Sequence, residues 1–139
     1  MSYVGTQDWQ NLNYTGRGRP TLKVWFEKCI NMMSGNTLIN ERIFIAGHKG
    51  MVGSALWRRL KDYDVITLDK SKLDLINQQS VEDFFAEYKP TIVINCAAKV
   101  GGILANNSFK GEFIFNNLQI SANIINQSHK HGVKKLINL

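Results

Sequence analysis

Residues 43–53, Ile43-Phe44-Ile45-Ala46-Gly47-His48-Lys49-Gly50-Met51-Val52-Gly53, constrain the fold of this chain more than any other stretch. A short apolar run stops at a glycine, and Val52, Leu56 and Leu60 then recur at helical spacing from Met51 to Leu60. The pattern predicts a strand, covered on both faces, that turns sharply into a helix. Gly47 can take turn geometry that a side chain resists. Gly50 lets the backbone approach an anion, and Gly53 lets the helix lie close to its strand. A helix start left bare in this way directs free N–H groups outward, which suits a pyrophosphate. Arg58, Arg59 and Lys61 near the other end suit the negative pole of the helix dipole.

The same alternation continues along the chain. Val65-Ile66-Thr67-Leu68 reads as a second strand. Ser80 with Asp83 forms a capping-box pattern, followed by Val81, Phe84, Phe85 and Tyr88 at helical spacing until Lys89-Pro90 stops the helix. Thr91 to Cys96 is a third strand. A longer helix is expected from about Glu112 to Lys130, with Ile114, Leu118, Ala122 and Ile125 on its apolar side and His131-Gly132 at its end. Lys135 to Leu139 opens a fourth strand. Near-continuous apolar strands alternating with amphipathic helices predict an α/β fold: a Rossmann-like, doubly wound parallel sheet, truncated after about the fourth strand.

Residues 1–40 have a different character. The first 19 are polar and without period, and Gly16-Arg17-Gly18-Arg19-Pro20 forms a basic turn. Leu22, Trp25, Phe26, Cys29, Ile30 and Met33 then trace one stripe of a short helix, which Ser34-Gly35-Asn36 breaks. The chain therefore divides into an extension, 1–40, and a unit of 41–139.

Composition narrows the classes further. A chain of 139 residues, 44% hydrophobic and with only 2 prolines, can bury a real core and is neither collagen nor a disordered tail. No apolar run approaches the ~20 residues that span a bilayer, and the N-terminus lacks the pattern of a secretory signal. Two distant cysteines, Cys29 and Cys96, fit reduced thiols and a cytoplasmic setting, with Cys96 expected to pack in the core. The net charge of +6 favours anionic partners, but the cations are scattered, so a phosphate-bearing small molecule explains them as well as nucleic acid does. His48, His129 and His131 have no carboxylate or thiol at ligand spacing, and no metal site is expected.

The remaining candidates gather where strands end. Asp69 stands about 20 residues after the glycines, where an acidic side chain takes the ribose 2′-OH of NAD. Lys70 and Lys72, flanking Ser71, would instead suit the 2′-phosphate of NADP, so these residues leave the two cofactors open. Asp74, between Leu73 and Leu75, is placed to meet an adenine amine. After the third strand Ala97-Ala98-Lys99 offers small side chains on which a flat cofactor can lie. Asn106-Asn107-Ser108 follows on a loop facing a substrate. No tyrosine (Tyr3, Tyr14, Tyr63, Tyr88) has a lysine four residues on, so a proton-relay pair of that kind is missing and no catalytic residue is assigned.

Two separate segments, Ile45-Ala46-Gly47-His48-Lys49-Gly50-Met51-Val52-Gly53-Ser54-Ala55 and Ala97-Ala98-Lys99-Val100-Gly101-Gly102-Ile103 with Ala105-Asn106-Asn107, resemble the GDP-L-fucose synthase family of extended short-chain dehydrogenase/reductases. The resemblance covers about residues 41–139. It implies an NADP(H)-dependent enzyme that epimerises GDP-4-keto-6-deoxy-D-mannose at C3 and C5 and reduces C4, homodimeric at full length. It also implies dinucleotide contacts at Gly47 through Gly53, at Lys70 through Leu75 and near Ala97-Ala98-Lys99, and shifts weight toward NADP(H); Asp69 departs from that preference. The family's Gly-Ser-Ser-Cys segment and Tyr-x-x-x-Lys helix would follow Leu139, so the chain alone is expected to lack reductase and epimerase activity. Met32 or Met33 reads as an ancestral start. Two alternatives stand beside this reading: another nucleotide-sugar epimerase or dehydratase, and a non-catalytic nucleotide- or nucleic-acid-binding protein.

Overall fold

The computed structural model describes residues 2–4 by their backbone, and residues 38, 40–102 and 108–139 in full. Among the described residues, five strands and three helices follow in the order β1 (Ser2–Val4), β2 (Arg42–Ala46), α1 (Met51–Arg59), β3 (Asp64–Ile66), α2 (Gln78–Tyr88), β4 (Ile92–Asn95), α3 (Lys110–Lys130) and β5 (Lys135–Asn138). The expected helix between Leu22 and Met33, and the expected start at Met32 or Met33, lie outside the described residues.

All strands are parallel, in the order β1-β5-β4-β2-β3. The expected doubly wound sheet is thus formed by β2 to β5, with helices on both faces. One strand was not foreseen. Ser2–Val4 pairs with Lys135, Leu136 and Ile137, and so lies along the outer edge of β5. Strand β5 therefore does not present the open edge that four strands alone would leave.

Alternation within the strands builds two cores. Phe44, Ala46, Val93 and Leu136 face α2 and α3, where Val81, Phe84, Phe85, Ile120 and Ile124 meet them. Ile43, Ile45, Ile92, Ile94 and Ile137 point to the opposite face, where Leu56 of α1 and Leu60 at its C-cap close over them. A period of two with both phases apolar explains why the strands read as unbroken runs. The Phe44 and Phe84 rings pack at 4.4 Å, and Phe84 also stacks on Tyr88 at 4.9 Å.

Two local expectations are corrected. Helix α2 starts one turn earlier than the capping-box pattern implied: Asn77 is the cap, its side chain accepting from the Ser80 N–H at 3.0 Å, so Ser80 is inside the helix. Lys89 ends that helix with φ 46° before Pro90, as the Lys-Pro step predicted. Helix α3 buries a different face from most of the one expected, of which Ile125 does pack against the core. Ile120, Asn123, Ile124, Gln127 and Ser128 turn inward, whereas Ile114 and Leu118 are more than 60% exposed, and Ala122 is exposed as well. The sheet-facing row carries three polar side chains, so apolar periodicity alone selected the wrong stripe.

Candidate functional site

Strand β2 lies in the sheet between β3 and β4, and the chain leaves it in one direction and returns in the other. That reversal opens a crevice beyond the carboxyl ends of β2 and β4, where ligands bind in open α/β sheets. Gly47 and Ala97 stand on its two sides. Gly47 has φ +76°, and a Cβ there would come within 2.7 Å of the Ala97 nitrogen. A Cβ on Gly53 would come within 2.2 Å of the Gly47 carbonyl oxygen, so this glycine lets α1 start directly against the turn. The Gly50 N–H donates to the Gly47 carbonyl at 3.0 Å and closes the turn.

Helix α1 begins with no side-chain cap and no acidic residue in its first turn. Its amino end is thus electrostatically open to an anion. The Gly47–Gly53 segment combines a backbone cradle that a side chain would fill with a bare helix start, and this arrangement fits a pyrophosphate.

The crevice holds a cavity of about 310 Å³. Of the residues singled out from the sequence, Gly47, Lys70, Leu73, Asp74, Leu75, Ala97, Ala98 and Lys99 line it. Gly50, Met51, Val52 and Gly53 stand at the start of α1. Met51 is exposed, while Val52 packs against the core under that helix. Leu73 is buried and belongs as much to the core as to the cavity wall. The Asp74 carboxylate accepts the Ile76 N–H at 3.1 Å, which shapes the loop it stands on. Ser71 and Lys72 are exposed outside the cavity lining.

Asp69, His48 and Lys49 form a cluster at the rim. Lys49 Nζ lies 2.7 Å from Asp69 Oδ1 and His48 Nε2 lies 3.5 Å from it. The hydrogen bond from Lys49 holds the Asp69 carboxyl below its ordinary range, assisted by the positive fields of Lys49, His48 and Lys72.

Several lining residues were not foreseen: Phe44, Ala46, Leu68, Ile76, Cys96, Asn116 and Ile120. Cys96 adds to an expectation. It stands one residue beyond β4 and is half-buried: it packs against the core under α1, as expected, and also lines the cavity, which was not expected. Asn116 and Ile120 come from α3, which lies far along the chain and so carried no signal in any local motif. Of the loop Asn106-Asn107-Ser108, the first two residues lie outside the described residues, and Ser108 is exposed. Among the described residues, no group of three or more His, Cys, Asp or Glu side chains is placed to hold a metal ion.

A parallel, doubly wound sheet with a glycine turn at its switch point defines a nucleotide-binding α/β protein. Residues 43–139 match the NAD dependent epimerase/dehydratase family, and the chain belongs to that family. It is 52% identical over 104 residues to a GDP-L-fucose synthase of Sinorhizobium fredii, covering 73% of this chain and 33% of that protein. It is 44% identical over 102 residues to the GDP-L-fucose synthase of Escherichia coli (strain K12), covering 71% and 32%. Among solved structures, MlghC, a GDP-mannoheptose C4 reductase from Campylobacter jejuni with NADP bound, superposes with a TM-score of 0.68 at 40% identity, over 71% of this chain and 32% of that one. A GDP-L-fucose synthetase from Naegleria fowleri bound to NADP gives 0.62 at 29% identity, over 71% and 30%. This chain therefore spans about a third of the length of the relatives it matches.

Proposed function

We propose that residues 41–139 are the NADP(H)-binding part of a GDP-L-fucose synthase-like enzyme, with residues 1–40 an extension outside the family pattern. The observation that carries this reading is the contact between Gly47 and Ala97 at the switch point, too close for any Cβ, beside the uncapped start of α1. In this reading the α1 amino end and the Gly47–Gly53 backbone bind the pyrophosphate, Lys49 and Lys70 meet the 2′-phosphate, Asp74 and Leu75 border the adenine, and Ala97-Ala98-Lys99 form the flat wall opposite. When bound, NADPH supplies the hydride that reduces the C4 ketone of a GDP-4-keto-6-deoxy sugar in the complete enzyme. No tyrosine of these 139 residues has a lysine four positions on, and we assign none of them a role in epimerisation or proton transfer.

The structures of relatives with NADP bound support the cofactor, and the curated relatives support the nucleotide-sugar substrate. The exposed Ile114, Phe115 and Leu118 of α3 support a homodimer in the complete enzyme. No described helix is long and apolar enough to cross a membrane. We place the protein in the cytoplasm, in keeping with a biosynthetic reaction on a nucleotide sugar.

The rival reading, a nucleic-acid binder that uses the net charge of +6, predicts something different. Titration of the chain with NADP⁺ and with single-stranded RNA across a salt series separates them. Saturable NADP⁺ binding supports the enzyme reading. RNA affinity that falls steeply with salt, with no NADP⁺ affinity, overturns it.

A further inference from the structure

Both loops that wall the crevice are held by side-chain amides of a single helix. After β4 the Cys96 N–H still donates to the Ala46 carbonyl and the Ala97 N–H to Asn95 Oδ1, both at 3.0 Å, and beyond them the segment leaves the sheet ladder. Asn117 of α3 holds it at Lys99: the Lys99 N–H donates to Asn117 Oδ1 at 2.6 Å, and Asn117 Nδ2 donates to the Lys99 carbonyl at 3.0 Å. On the opposite wall, Asn123 Nδ2 donates to the carbonyls of both Leu75 and Ile76, at 2.9 and 3.0 Å. Gln119 Nε2 fixes the Asn123 amide by donating to its Oδ1 at 2.9 Å. Asn116, next to Asn117, and Ile120, between the two asparagines, line the cavity from the same helix.

Asn117 and Asn123 are six residues apart, so their backbones stand about 9 Å apart along the helix axis. Burying an amide costs free energy unless its hydrogen bonds are satisfied, and an aliphatic side chain would pack a helix on a sheet without that cost. Asn123 is only 4% exposed, yet its donors go to loop carbonyls rather than to another helix or strand.

We propose that Asn117 and Asn123 are positioning residues that set the width of the dinucleotide crevice by pinning its two walls to one rigid helix. The inference rests on the dinucleotide reading above. Neither side chain is assigned a contact with the cofactor; each acts through the backbone it holds.

The test compares the 139-residue protein with Asn117→Leu, Asn123→Leu and the isosteric Asn117→Asp. NADP⁺ affinity is measured by calorimetric titration, and amide hydrogen exchange is followed at Lys99, across residues 73–77 and in β2 and β4. For each leucine variant the expected result is a dissociation constant at least about tenfold higher. Exchange should rise at Lys99 for Asn117→Leu and across 73–77 for Asn123→Leu, with β2 and β4 still protected. Asn117→Asp keeps the acceptor for the Lys99 N–H but cannot donate while ionised. Its affinity, relative to wild type at the same pH, should recover as acidification protonates the carboxyl. Wild-type affinity in either leucine variant overturns the inference. So does loss of affinity with exchange at the pinned loop unchanged, or with protection of β2 and β4 lost as well. A wild-type protein that does not bind NADP⁺ overturns the dinucleotide reading itself, while exchange at Lys99 still separates that failure from absence of the clamp.

Discussion

Lys49 Nζ and Asp69 Oδ1 are 2.7 Å apart, so an ion pair joins the glycine turn after β2 to the loop that follows β3. The acidic side chain that would hold the ribose 2′-OH of NAD is thus already engaged by a cation from the glycine turn. A 2′-phosphate entering here would draw Lys49 toward itself and face the Asp69 carboxylate, so the two residues act on cofactor choice in opposite directions.

Asp69→Asn should tighten NADP⁺ binding by about threefold, and Lys49→Met should weaken it by a similar factor, the modest scale of an exposed, solvent-screened charge pair. NAD⁺ affinity should change little in Asp69→Asn and rise in Lys49→Met, where the carboxylate is released for the ribose. Parallel titrations of both variants with both dinucleotides check this, and matching responses to NADP⁺ and NAD⁺ would rule it out.

Gly53→Ala places a Cβ 2.2 Å from the Gly47 carbonyl oxygen, which belongs to backbone and cannot swing aside. Helix α1 must shift or tilt, at a cost of about 3 kcal/mol. Urea unfolding should show the lower stability, and NADP⁺ affinity should fall at least tenfold because the helix start no longer meets the turn.

Phe85 of α2 is fully buried against β2, with its ring 6.4 Å from Phe44 and 5.6 Å from Phe84. Phe85→Ala should destabilise the fold by about 3–5 kcal/mol, the range for removing a buried aromatic ring. Denaturant titration measures it directly.

Lys134 Nζ lies 2.6 Å from Glu41 Oε1. Hydrogen bonds from Lys134 and Thr91 hold the Glu41 carboxyl below the 4.5 of the free side chain, against the opposing effect of burial. A carboxyl depressed in the folded state stabilises the fold above its unfolded pKa and loses that contribution as pH falls through the folded value. Thermal unfolding followed downward from pH 6 should therefore show a loss beginning near 4.5, and Glu41→Gln should be less stable at neutral pH and show a smaller loss.

Removal of residues 1–4 uncovers the outer backbone edge of β5. An exposed parallel edge recruits strands from other molecules. The shortened protein should self-associate with rising concentration, as read by light scattering after gel filtration, at concentrations where the intact chain does not.

The glycine turn was legible because its requirements are local. A strand end, a positive φ at Gly47 and close packing at Gly53 all act within seven residues, and each leaves only glycine suitable. The same is true of the Lys89-Pro90 stop and of Gly132, which takes φ +67° after α3. The α3 face was misread for the opposite reason. Asn123 and Gln127 look solvent-facing in isolation, and only the loop carbonyls of Leu75 and Ile76 make an inward Asn123 favourable. Nothing near residue 123 announces partners that lie 47 and 48 positions away.

By itself, the order of residues determined the alternation of strands and helices, the parallel sheet and the place where a phosphate group would meet the backbone. These follow from hydrophobic period and from the steric freedom of glycine, which are properties of neighbouring residues. Tertiary structure alone decided that Ser2–Val4 would lie against β5, that Lys49 would pair with Asp69, and that Asn117 and Asn123 would hold the crevice walls. Each of those depends on groups brought together across 18 or more residues, by a chain closure that is stable only once both faces of the sheet are buried.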